Sequence, residues 1–175
     1  MSDELEWNYA IEDIPETGLQ ADRAATPEER ATVARALDVL SVLSLSAQFA
    51  ITPRSAGYFR LTGNVKAQVE QSCVVTLEPL TNAIDERFSV DYWPENELPE
   101  PSGGVIDVHD EPDLEPIVGN QIKVGRVVFD TLAGAIDLFP RKPGVTFESS
   151  ELTPKDTQSQ ASGPFAVLAK MKNKR

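Results

Sequence analysis

Residues 71–80 read QSCVVTLEPL and hold the chain's one cysteine, Cys73, three positions before Thr76 and shortly before Leu77-Glu78-Pro79. A Cys-x-x-Cys turn would present two thiolates to a metal or form a redox pair. Here the second sulfur is replaced by a hydroxyl. Structural zinc needs four nitrogen or sulfur ligands, and the chain offers one Cys and one His, His109, in the acidic stretch VIDVHDEPD. No metal site and no cofactor are expected from that donor set. A reactive thiol needs a neighbouring cation or a helix N-terminus to lower its pKa. Cys73 follows Val65 and Val69 in an alternating pattern instead, which places it in the core as a small apolar group. Asp110 and Glu111 could hold a divalent cation, yet they sit among prolines and glycines, where a solvated acidic surface is the ordinary reading. Hydrolase, nucleotide-binding and metalloprotease motifs are absent, so no catalytic residues are assigned.

Charge narrows the partners. The 175 residues carry 16 Lys and Arg against 28 Asp and Glu, a net charge of −12. Nucleic acids are bound largely by cations that neutralise phosphates, so direct contact with bare RNA is expected to be weak. Basic proteins suit an acidic chain better, and ribosomal or ribosome-assembly proteins are abundant basic partners. One cysteine, no apolar run near the roughly 20 residues of a membrane helix, and an acidic start without signal-peptide order predict a cytoplasmic protein.

These features need elements to position them. Residues 1–21 are read as an N-terminal extension. Residues 22–40 are read as a helix, with Thr26 as N-cap, Pro27 at its first position, Glu29 completing a capping box, and Val33, Leu37 and Leu40 as its apolar stripe. The period then becomes two. Leu43, Leu45, Ala47, Phe49 and Ile51 form one strand face. Phe59, Leu61, Gly63, Val65, Ala67 and Val69 form the next, and the same parity continues to Cys73, Val75 and Leu77. Ile84, Glu86, Phe88, Val90 and Tyr92 form the third. Short links predict an antiparallel meander that could curl into a barrel-like sheet. Residues 94–116 read as an acidic, proline-rich loop, 117–122 as a short strand, and 124–139 as a second amphipathic helix stopped by Pro140. The fold class is therefore α+β, an antiparallel sheet flanked by two helices. One domain spans 22–145, and 146–175 form a flexible linker with a C-terminal docking segment. In that tail Phe165 and Leu168 lie at helical spacing beside Lys170, Lys172, Lys174 and Arg175, so it is a candidate for docking on a partner.

Three segments, in order, resemble the YceD family, also called large ribosomal RNA subunit accumulation protein. VKAQVEQSCVVTLEPLTNAIDERFSVDYWPE, 65–95, resembles the family core, with Cys73, Leu77, Glu78 and Pro79 matching its motif and Thr76 standing where many members have a second Cys. IKVGRVVFDTLAGAIDLFPRKPG, 122–144, resembles the segment that follows, and GPFAVLAKMK, 163–172, its C-terminal signature. The resemblance implies a non-enzymatic role in accumulation of 23S ribosomal RNA and in large-subunit biogenesis. The family's cysteine pair has suggested metal binding, which does not carry over to a Cys-Thr pair because threonine is a poor zinc ligand. Two other functions compete: an RNA-binding module acting directly on ribosomal RNA, and a small hydrolase. A contiguous basic patch would favour the first of these, and an acidic or apolar groove a protein partner.

Overall fold

The computed structural model describes residues 5–94 and 113–145. Thr26 has extended backbone, and its side chain accepts a hydrogen bond from the Glu29 amide at 3.2 Å while the Glu29 carboxylate accepts from the Thr26 amide at 2.8 Å. That reciprocal pair starts helix α1 at Pro27–Ala36. A cap residue lies outside its helix, so the helix does not begin at residue 22. The residues before the cap instead form strand β2, Leu19–Ala24, which pairs antiparallel with β3, Ser41–Pro53. Leu40, placed on the helical stripe by the sequence, is 55% exposed beyond the helix.

The three alternating runs become β3, β4 (Phe59–Ser72) and β5 (Pro79–Pro94), paired antiparallel in sequence order. Side chains at i and i+2 share a face, and the register aligns Ile51, Leu61 and Val90, all buried, across the sheet. A register shift between Val42 and Ser44 changes the parity at the start of β3. Val42 is therefore buried and Leu43 is 45% exposed, the reverse of unbroken alternation. Strand β6, Asp113–Ile117, lies parallel to β5. The sheet is mixed, and residues 113–116 belong to a strand rather than to a loop. The rest of the acidic stretch, 95–112, lies outside the described residues. The strand order β2-β3-β4-β5-β6 leaves β2 and β6 as separate edges, so the sheet is open and not a barrel.

Residues 5–21 are part of this unit rather than an extension of it. Leu5 and Trp7 are each 1% exposed, and β1, Asn8–Ala10, pairs with β7, Gln121–Lys123, in a second, two-stranded sheet. Helix α2, Val124–Ala135, follows directly and buries Val124, Val127, Val128 and Leu132 in the common core. Helix α1 packs on β3, and α2 on β4 and β5. The helix read as 124–139 ends four residues sooner, because Ile136 is extended and the Asp137 carboxylate accepts the Phe139 amide at 2.9 Å. This local bond gives the backbone an alternative to the helix. Phe139, placed on the apolar stripe by periodicity, is 70% exposed and Leu138 79%.

Compact unit one ends at Pro143, and a second unit spans 144–175, of which only residues 144 and 145 are described. The flexible tail expected from the sequence lies outside the described residues.

Candidate functional site

The turn from β4 to β5 reverses the chain at the family motif. Leu77 takes the left-handed conformation, φ 60°, and its amide donates to the Cys73 carbonyl at 2.9 Å. The Cys73 amide donates to the Glu78 carbonyl at 2.9 Å. This closed turn ends the strand parity. Cys73 is 0% exposed, but Leu77, which unbroken parity would bury, is 78% exposed. Pro79 opens β5.

Residues 137–143, which carry no helix or strand, lie along this turn. The Val74 amide donates to the Pro140 carbonyl at 2.9 Å, and the Lys142 amide to Cys73 Sγ at 3.5 Å. The Lys142 ammonium meets the Glu78 carboxylate at 2.6 Å. One strand residue further back, the buried Gln71 donates from Nε2 to the Asp137 carbonyl at 2.8 Å and accepts from Asn82 at 2.9 Å. Sequence reasoning named Cys73, Leu77, Glu78 and Pro79. It did not name Gln71, Asn82, Asp137, Pro140 or Lys142. The last three fall in the second segment that resembles the family, 122–144, which the sequence alone does not pair with the first.

Cys73 is thus buried, but its sulfur sits among donors. Hydrogen bonds from the Thr76 side chain, then from backbone amides of Lys142, Thr76 and Val75, lower its pKa from the ordinary 9.0 to about 6, against burial, which raises it. The Thr76 hydroxyl, with backbone amides, here takes the place of the cation or helix terminus that usually acidifies a thiol. Glu78 is held below its ordinary value by the hydrogen bond from Lys142 and by its charge.

The thiol gives a pH-dependent prediction. Between about 6 and 9 the folded chain holds thiolate where the unfolded chain holds thiol. The unfolded state then binds more protons, so this contribution to stability grows as pH rises through the window and is lost as pH falls through about 6. Cys73→Ala should lower the Tm by roughly 2–4 °C near neutral pH. The penalty should be larger at pH 8.5 than at pH 5.5, by differential scanning calorimetry. An equal or smaller penalty at the higher pH would rule out the acidified thiol.

The other large polar surface is the sheet face away from the helices. A groove of about 560 Å³ runs over Gln20, Asp22, Gln48, Thr62 and Asn64. Two of its cations face carboxylates. Arg60 meets Asp91 through two hydrogen bonds of 2.6 Å, and Lys66 lies 3.6 Å from Asp85. Asn64 donates to Asp85 at 2.7 Å, and that bond, with Lys66 and Arg87 nearby, holds Asp85 below its usual range. On α2, Arg126 lies 3.6 Å from Asp130 and 4.0 Å from Glu115.

Among the described residues no group of three or more His, Cys, Asp and Glu side chains is placed to hold a metal. No helix among them is long and apolar enough to cross a membrane. His109, Asp110, Glu111 and the docking candidates Phe165, Leu168, Lys170 and Lys172 lie outside the described residues.

Comparison with curated proteins gives no match, and comparison with solved structures gives none. A family model described as large ribosomal RNA subunit accumulation protein YceD matches residues 61–172. That span, more than half of the chain, runs from within β4 through the Cys73 turn and past the 137–143 segment that packs on it, and the chain belongs to the YceD family.

Proposed function

We propose that the chain is a non-enzymatic, cytoplasmic factor that supports accumulation of 23S ribosomal RNA during large-subunit biogenesis, and that it acts through a ribosomal or assembly protein. Family membership supports the ribosomal role. The pairing of four cations with carboxylates carries the choice of a protein over naked RNA. Arg60, Lys66, Arg126 and Lys142 each lie within 4.0 Å of a carboxylate, which reduces what they offer to phosphates. The net charge of −12 adds long-range repulsion from RNA. A basic protein partner meets neither obstacle, and the exposed Leu77, Leu138 and Phe139 offer it apolar contact. The C-terminal segment 163–175, with Phe165 and Leu168 beside Lys170 and Lys172, is the proposed docking element.

Affinity purification from growing cells tests this reading. Full-length bait and bait ending at residue 162 are compared, each from lysates with and without RNase. A partner protein retained after RNase on the full-length bait, and lost from the shortened one, is the expected result. Shortening should also reduce 23S ribosomal RNA in a deletion strain complemented with this chain. Complete loss of partners on RNase treatment, with tight binding to naked ribosomal RNA at physiological salt, would favour direct RNA binding instead.

A further inference from the structure

We propose, building on the reading of a basic protein partner, that the free edge of β2 takes up an extended segment of that partner as an added strand, with a lysine or arginine beside Asp22.

Strand β2 is the outer strand of the five-stranded sheet. The Ala25 amide donates to the Leu45 carbonyl at 2.9 Å, and the β2–β3 register runs on from Ala24–Ser46 without a shift. Bonds of an antiparallel pair recur at every second residue. Leu19, Ala21 and Arg23 therefore bond to β3, and the N–H and C=O groups of Gln20, Asp22 and Ala24 point away from the sheet. Natural edges are blunted by proline, lysine or a bulge. The other edge, β6, carries Pro116, whereas β2 has none of these devices. Beside the free edge, Gln20 and Asp22 line the groove of about 560 Å³, and a second groove of about 290 Å³ runs over Asp22, Ala24, Ser46 and Lys66. Both can receive alternate side chains of an added strand.

Charge selects the occupant. The stretch 11–22 carries Glu12, Asp13, Glu16 and Asp22 and no Lys or Arg. None of the four has an ion pair among the described residues. Arg23 belongs to the opposite face, its guanidinium over the Trp7 ring. A cation directly across from Asp22 on an added strand would complete it. A second copy of the chain does not supply one. Outward residues pair only with outward residues, so two antiparallel β2 strands set Asp22 against Asp22, Gln20 or Ala24, never against Arg23. The net charge of −12 also opposes self-association.

Titration of the full-length protein with a short synthetic peptide alternating lysine and valine, read by amide chemical shifts, tests the edge. Shifts centred on the amides of Gln20, Asp22 and Ala24, weakening with salt, are expected. A peptide alternating glutamate and valine should leave these amides unmoved. Gln20→Pro removes an outward donor and leaves the bonds to β3 in place. It should weaken the lysine peptide by about tenfold. Asp22→Lys keeps the donor, and serves should Gln20→Pro fail to fold. It should weaken the lysine peptide by up to about fivefold and admit the glutamate peptide. Equal response to both peptides, or none at the outward amides, would overturn the edge as a site. So would outward amides already protected from hydrogen exchange in the free chain. Loss of that protection in a chain ending at residue 162 would assign the edge to the protein's own tail, and loss on dilution to a second copy. Affinity purification with a full-length Gln20→Pro bait separates the edge from the reading beneath it. An RNase-resistant partner retained by this bait keeps the protein-partner reading and removes the edge. Lysine-peptide binding at the edge, with no RNase-resistant partner on the unaltered bait, removes that reading and leaves the edge standing.

Discussion

Trp7→Ala should lower stability by about 3–5 kcal/mol, the range for truncating a large buried aromatic. For a chain of this length that corresponds to a fall in Tm on the order of 10 °C. Trp7 is 1% exposed, and side chain and backbone together bind it to three elements. Its Nε1–H donates to Glu29 at 2.9 Å, the same carboxylate that caps α1, and the Arg23 guanidinium of β2 stands 5.9 Å from the ring centroid. Its carbonyl accepts the Gly125 amide at 3.1 Å, at the start of α2. The substitution thus leaves a cavity where the N-terminal segment meets both helices and frees a capping carboxylate. Trp7→Phe separates the two contributions. It keeps most of the apolar contact and loses the indole donor, so about 1 kcal/mol is expected, the net worth of one hydrogen bond. Urea unfolding followed by far-ultraviolet circular dichroism measures both. A Trp7→Ala loss below about 1 kcal/mol would show that residues 5–10 are peripheral to the fold.

That result bears on what a sequence reveals. The helix start was legible because Thr26 and Glu29 form a bonded pair whose chemistry is local. Starting the helix at residue 22 ignored that same signal, since a cap excludes the residues before it. The faces of β4 and β5 were legible because one side is buried and the other wet, which enforces period two. Leu43 was misplaced because a bulge is a tertiary accommodation with no mark in the sequence. The burial of Leu5 and Trp7 was missed in an acidic context, although Leu5, Trp7 and Tyr9 alternate with polar residues, a signal that could have identified them. In the candidate site, the motif residues of the turn could be named, but their partners could not. Lys142 reaches Glu78 across 64 positions of chain, and only the fold brings them together.

Gly125→Ala should destabilise the protein by about 1–3 kcal/mol, as overpacking of a filled core does, although alanine is intrinsically the better helix former by about 1 kcal/mol. A Cβ at position 125 would lie 2.1 Å from the Leu5 carbonyl oxygen and 2.9 Å from its carbonyl carbon. Backbone cannot yield as a flexible side-chain tip can. Either the 5–7 segment or the first turn of α2 must move, and the bond from Gly125 to Trp7 ties the two together. Gly134, near the end of the same helix, has open space where its Cβ would stand. Gly134→Ala therefore expresses only the helical preference and should stabilise by about 0.5–1 kcal/mol. The opposite signs of these two changes, measured side by side by urea unfolding, isolate the close approach of the N-terminal segment from helix propensity. If Gly125→Ala stabilised the chain as Gly134→Ala should, Leu5 would not lie against α2 in solution, and the Trp7 environment would have to be redrawn with it.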